Sequence, residues 1–242
     1  MSSLGKYFIF IFHLFKNRES FGTYFKLTLN EAVSIGWNSL VLIAIVSTFM
    51  GAVSTLQTAY NLVSPLIANY IVSLVVRDLT IMELAPTIIG IVYAGKVGSN
   101  IASELGTMRI TEQIDALEVM GINAGSYLVL PKIVASVIMF PVLVIIAAFL
   151  AIGGGYLAAT ITGVVTGADY IYGIRSQFNE YMVTFMMIKA LIFAFLVASI
   201  AAYKGFYTRG GALEVGRAST QAVTSSCIAI LLADYLLAQL LL

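Results

Sequence analysis

Five apolar stretches recur along the chain, near residues 35–56, 84–105, 132–156, 183–203 and 221–241. Each has the roughly 20 residues that a helix needs to cross a hydrocarbon core about 30 Å thick. The fold expected is an all-α integral membrane protein with about five transmembrane helices. Composition points the same way: 60% of residues are apolar and 10% charged, with a mean hydropathy of +0.97, where soluble domains are about 45–50% apolar and about one-quarter charged. No Pro/Gly/Ser-rich linker divides the chain, so residues 31–242 read as one transmembrane domain behind an N-terminal segment, 1–30. A net charge of +1 gives no sign of nucleic-acid binding. Cys227 is the single cysteine and forms no intrachain disulfide.

The interval 57–76 is also apolar but is interrupted by Asn61, Pro65 and Asn69, and reads as a broken or re-entrant segment near one surface. Residues 160–181 carry Asp169, Arg175, Asn179 and Glu180 and read as a polar loop with a surface helix. Orientation follows the basic residues. With the N-terminus inside, Lys6, Lys16, Arg18, Lys26, Lys96, Arg109, Lys132, Lys204, Arg209 and Arg217 are cytoplasmic, Arg77 and Arg175 lie outside, and Lys189 lies within a span. Five crossings then put the C-terminus outside. In the first thirty residues Leu4, Tyr7, Phe8, Ile11, Leu14 and Phe15 recur at helical spacing ahead of Lys16, Arg18 and Lys26, the pattern of an interfacial amphipathic helix. His13 breaks the apolar run and no cleavage site follows, which argues against a signal peptide.

Gly90 to Val97 matches most of a phosphate-binding loop, but Val97 stands where that loop needs Ser or Thr, and the stretch lies inside a span with no strand before it. Its small residues Gly90, Ala94, Gly98 and Ala102 repeat every four positions, which suits close helix packing. The expectation is no ATPase site and no catalytic or metal-binding constellation in this chain.

The segment after this span has its own punctuation. Gly106 is expected to end the membrane helix, Thr111 to cap a short helix, and Gly121 to terminate it. Ile110, Ile114 and Leu117 share one side of that short helix, and Glu112, Asp115 and Glu118 spread over the other. Spacing alone favours a simple amphipathic connector. The run AGKVGS, ELGTMR, TEQIDALEVMG over residues 94–121, with Glu83-Leu84-Ala85-Pro86 before it and Gly216 to Thr220 after it, resembles the MlaE/YrbE family, the permease subunits of lipid-transporting ABC systems. The resemblance covers roughly residues 30 to 242. It implies that 111–121 is a cytoplasmic coupling helix seated in an ATPase, with Glu112, Gln113, Asp115 and Glu118 as coupling residues. It further implies a homodimer in a bacterial inner membrane, a separate ATPase that binds the ATP, a periplasmic MCE-domain partner and a phospholipid substrate. No cofactor is implied in this chain itself.

Ionisable groups inside lipid are functional candidates by default. Glu83, Lys189 and Asp234 qualify. By the resemblance Glu83 takes the acidic position of a RELGP-like pattern near the lipid cavity, flanked by Leu79 and Leu84. Met82 replaces the basic residue of that pattern and Ala85 the glycine, which counts against a headgroup-binding ion pair there. The alternatives for Glu83 are an interfacial position or a pair with Arg77. An ion-coupled secondary transporter using Glu83 and Asp234, or a non-transporting scaffold for the ATPase, are the competing functions. Inverted repeats would favour the former, and the sequence contains none.

Overall fold

A computed structural model describes residues 3–14, 21–62 and 68–241. Phe15, Lys16, Arg18 and Pro65, on which parts of the N-terminal and 57–76 readings rest, lie outside them. Ten α-helices are present among the described residues: α1 Ser3–His13, α2 Phe21–Asn61, α3 Tyr70–Leu79, α4 Ile89–Tyr93, α5 Ser99–Ile110, α6 Gln113–Val119, α7 Leu130–Thr162, α8 Gly167–Arg175, α9 Tyr181–Phe206 and α10 Ala212–Leu241. The described residues contain no strand. The chain is an all-α membrane protein. Four helical segments, Gly22–Asn61, Gly125–Thr162, Tyr181–Phe206 and Ala212–Leu241, are by themselves long and apolar enough to cross a bilayer.

The expected span at 84–105 falls in a composite rod. Helices α3, α4 and α5 run on without a break through π-helical turns at Thr80–Ile88 and Ala94–Gly98. Pro86 lies inside the first of these turns. It has no N–H to offer the carbonyl four residues earlier, so the regular ladder cannot continue there. The described parts of the interval 57–76 belong to the helices on either side of residues 63–67. Asn61 closes α2, Asn69 precedes α3, and α3 buries Val72, Val76 and Arg77. Arg77 fixes α8 to α3 by donating to the carbonyls of Ile174 and Ser176, each at 2.7 Å. The expected surface helix in 160–181 is α8. Its start is capped by Thr166, whose side chain accepts from the Asp169 backbone N–H.

Helix α9 is the centre of the bundle, packed by α7, α5 and α10. The small-residue stripe of the rod lies against it: Ala94 and Ala102 are fully buried, and a Cβ on Gly98 would stand 3.2 Å from the Val197 side chain. Replacing Gly98 by leucine should therefore cost about 1–3 kcal/mol of stability through overpacking inside one subunit. A fall in the thermal midpoint of the purified protein checks this, and an unchanged midpoint would mean that α9 yields at no cost. Helices α2 and α7 approach closely where Gly51 meets the Ala151 backbone and Gly154 the Thr48 backbone.

Two sequence expectations about the 106–121 segment are corrected. Gly106 does not end the membrane helix. Helix α5 continues to Ile110, because Gly106 is spent on a close approach to Val215, 3.2 Å from where its Cβ would stand. Nor does Thr111 cap α6. Its hydroxyl donates back to the Thr107 carbonyl at 2.9 Å, closing α5, and Glu112 takes the cap position with a left-handed φ of 61°. The chain must reverse within two residues between α5 and α6, a demand of the tertiary path that cap chemistry alone does not reveal. Gly121, at φ 79°, does terminate α6.

Helix α1 packs on the last turns of α9. Tyr7 hydrogen-bonds the Ser199 hydroxyl at 2.7 Å, and Phe10 is buried among Tyr203, Phe206 and Tyr207. Phe8 and Phe12 stay exposed on its outer face, and His13 is exposed too. This end of the bundle carries Lys204, Arg209, Arg217 and α6, while Arg77 and Arg175 sit at the end formed by α3 and α8.

Candidate functional site

Three ionisable residues from three helical segments meet inside the bundle. The Lys189 ammonium, fully enclosed on α9, stands 2.7 Å from a Glu83 carboxylate oxygen and 2.7 Å from one of Asp234. It also donates to the Met82 carbonyl at 3.0 Å and lies 4.5 Å from the centre of the Phe185 ring. Met82 is the residue whose carbonyl Pro86 leaves without its usual α-helical donor, so the proline and the lysine act together. Thr87 donates to Asp234 at 3.1 Å, and its hydroxyl lies 3.4 Å from Glu83. A lysine with no exposure persists in such a place because its charge is matched and each of its N–H groups has an acceptor.

The cluster carries two carboxylates against one ammonium, and the surplus faces outward through Glu83, whose side chain is 39% exposed against 17% for Asp234. Glu83 lines a cavity of about 370 Å³ together with Val75, Asp78, Leu79 and Met82. Leu84, the other expected neighbour, is half-buried and does not line it. Asp78 is held by Arg77 at 2.7 Å, so Arg77 does not serve Glu83. The cavity thus has an apolar wall and two carboxylates, Asp78 tied to Arg77 and Glu83 tied to Lys189.

The sequence singled out Glu83, Lys189 and Asp234 one by one and did not join them. Met82 in place of a basic residue counted against an ion pair. The cation instead comes from Lys189, 106 positions away in sequence. Spacing within one helix cannot carry that information.

A second ionic cluster was missed as a unit. Lys132 at the start of α7, almost fully buried, binds Glu31 of α2 at 2.6 Å and Glu104 of α5 at 2.8 Å. Each of the three lies beside an apolar span, which is the signal the sequence offered.

At the same end as α1, Ile114 is fully buried and seats α6 on the bundle, with Leu117 half-buried beside it. Glu112, Gln113, Asp115 and Glu118 are all exposed. Asp115 is tied to Arg109 of α5 at 2.6 Å and Gln113 donates to the Thr111 hydroxyl at 3.1 Å, while Glu112 and Glu118 make no ion pair among the described residues. Val119 and Met120 complete an exposed apolar tip. Burial pushes the Tyr207 phenol above its usual range, Tyr203 and Glu118 adding to the effect and Arg109 opposing it, so α6 and the end of α9 share one electrostatic corner. Residues 90–97 are helical, with Gly90 and Ala94 packed against neighbours rather than forming a loop. Among the described residues no group of three or more His, Cys, Asp or Glu side chains is placed to hold a metal ion.

The profile of the permease MlaE matches residues 28–240. A probable ABC transporter permease protein of Rickettsia bellii is 36% identical over 238 residues, covering 98% of this chain and 92% of its own length. One from Synechocystis is 32% identical over 214 residues, covering 88% and 81%. The chloroplast protein TRIGALACTOSYLDIACYLGLYCEROL 1 of Arabidopsis thaliana is 31% identical over 219 residues, covering 87% of this chain and 60% of its own.

Proposed function

The chain belongs to the MlaE permease family, and from that premise we propose that it is the subunit through which an ABC transporter moves phospholipid between a bacterial inner membrane and a periplasmic MCE-domain carrier. The observation that carries the lipid reading is the Glu83–Lys189–Asp234 cluster opening on an apolar-walled cavity. A carboxylate held at fixed geometry beside apolar surface suits the hydroxyl or ammonium donors of a headgroup, with acyl chains along Leu79 and Val75. A relative named for a glycerolipid adds support. The chain works as a homodimer: the face of α10 bearing Ile228, Leu231, Leu232, Tyr235 and Leu236 is exposed in the single subunit, and two ATPase copies need two coupling helices. The N-terminus and α6 lie in the cytoplasm and the C-terminus in the periplasm.

The drive runs along the rod. A cytoplasmic ATPase that binds ATP grips the exposed acidic side of α6, and the Arg109–Asp115 strap and the buried Ile114 pass displacement to α5. From α5 the rod runs without a break to Glu83. Its π-helical turns supply the adjustable segments along the way. Chemistry on the lipid is not required.

Reconstitution in vesicles with labelled phospholipid, with and without the ATPase, tests this reading. ATP-dependent transfer is the expected result. Transfer driven by a pH gradient without the ATPase would instead assign the buried carboxylates to proton carriage, and ATPase recruitment without any transfer would make the chain a scaffold.

A further inference from the structure

A polar cavity of about 620 Å³ lies between α2, the α3–α5 rod and α10, and none of the roles above uses it. Ser34 and Asn38 on α2 face Lys96, Asn100 and Ser103 on the rod across it. Spacings of three and four place each set on one side of its helix. Lys96, the lysine of the phosphate-loop look-alike, makes no ion pair among the described residues. The two carboxylates at the same cavity, Glu31 and Glu104, are both taken by Lys132. Ser39 also lines it, and its hydroxyl is buried, at 1% exposure, with no hydrogen-bond partner. A cation with no direct ion-pair partner and a buried hydroxyl without an acceptor in one cavity are both met by the same ligand, an anion rich in acceptor oxygens.

Depth identifies the source of that anion. Lys96 follows Glu83 by thirteen positions on a continuous helical rod, or ~20 Å along its axis, against a hydrocarbon core of about 30 Å. The two sites therefore sit at the levels of opposite leaflets. Beside the polar stripe, α2 exposes Val33, Trp37, Leu40 and Val41, an apolar border for acyl chains with an aromatic ring at headgroup height.

We propose that this cavity is a second lipid station, which holds the phosphate of a phospholipid from the cytoplasmic leaflet through Lys96, with Asn38, Asn100 and Ser39 donating to its oxygens. It rests on the transport reading and extends it: lipid engages two sites, one per leaflet, on the same moving rod.

The test reconstitutes the full chain with its ATPase in vesicles of radiolabelled phosphatidylglycerol, with a photo-crosslinking benzoylphenylalanine at Ser34 or, separately, at Leu79. Adducts are expected at both positions. Lys96→Gln should cut the Ser34 adduct roughly tenfold, the loss of one charge-assisted hydrogen bond, and Lys96→Arg should keep it. The Leu79 adduct should be unchanged in both variants, which also certifies folding. An adduct at Leu79 but none at Ser34, or a Ser34 adduct indifferent to Lys96→Gln, overturns the second station and leaves the transport reading standing. No adduct at either position sinks the transport reading itself. Dialysis against labelled inorganic phosphate separates the sources: Lys96-dependent uptake of free phosphate without a lipid adduct at Ser34 would overturn the lipid assignment in favour of a soluble anion.

Discussion

Lys189→Met should be the most damaging single substitution in the bundle. It leaves the Glu83 and Asp234 carboxylates facing each other without the ammonium that lies 2.7 Å from each, and it strips the Met82 carbonyl of a donor. Removing one partner of a buried ionic cluster costs about 3–5 kcal/mol. The lower end applies here, since Glu83 is 39% exposed and water screens part of its charge. We expect poor recovery of folded protein, a thermal midpoint lowered by many degrees, and no lipid transfer. Neutralising the whole cluster, with Lys189→Met, Glu83→Gln and Asp234→Asn together, should restore most of the stability because no unpaired charge remains. Transfer decides the role. If the triple variant is stable and carries lipid at the normal rate, the cluster only holds helices together. If it is stable and inactive, with less co-purified phospholipid, the charges act on the headgroup. Glu83→Leu should then lower bound lipid and transfer more than Glu83→Gln, with ATPase docking intact because α6 lies at the opposite end of the rod.

Reversing Glu112 and Glu118 to lysine should uncouple ATP hydrolysis from transfer by an order of magnitude or more. Both side chains are exposed and neither is engaged in an ion pair among the described residues, so the subunit loses no salt bridge there. Against a basic cleft in the ATPase, two like-charge juxtapositions replace two attractions, and such clashes cost several kcal/mol. Asp115→Lys is the poorer probe, because it also breaks the 2.6 Å strap to Arg109 and would move α6 on its own account. Normal retention of the ATPase in a pull-down, with undiminished ATP-driven transfer, would remove α6 from the coupling path. Replacing Glu112 by glycine offers a complementary measurement. Its left-handed φ of 61° is strained for a side chain, so glycine should keep or slightly raise the thermal midpoint while still losing one charge at the docking face.

Much of this architecture is legible in the sequence. Runs of apolar residues long enough for a bilayer force helices, since each helix satisfies its own backbone, and so the spans at 132–156 and 183–203 fall inside α7 and α9. The asymmetry of lysine and arginine sorts the two ends of the bundle, and Gly121 marks the end of α6, because both signals are local. The acidic face of α6 opposite Ile114 and Leu117 was equally plain from periodicity.

Local pattern thus fixes the all-helical class, the cores of the apolar spans and the residues that are costly in lipid, while α2 and α10 begin well before the expected spans at 35 and 221. How the costly residues are satisfied depends on which helices pack together. Lys189 meets Glu83 and Asp234 because α9, the rod and α10 all pack on one another, and Lys132 gathers Glu31 and Glu104 because α7 starts beside α2 and α5. The continuity of 70–110 through two π-helical turns, the passage of α5 beyond Gly106 and the left-handed cap at Glu112 likewise follow from where neighbouring helices stand. The reason is physical. Hydrophobicity and backbone hydrogen bonding act within a helix and are written in adjacent residues, whereas a buried charge is stabilised by whichever partner comes within about 3 Å, and that partner is set by helix packing.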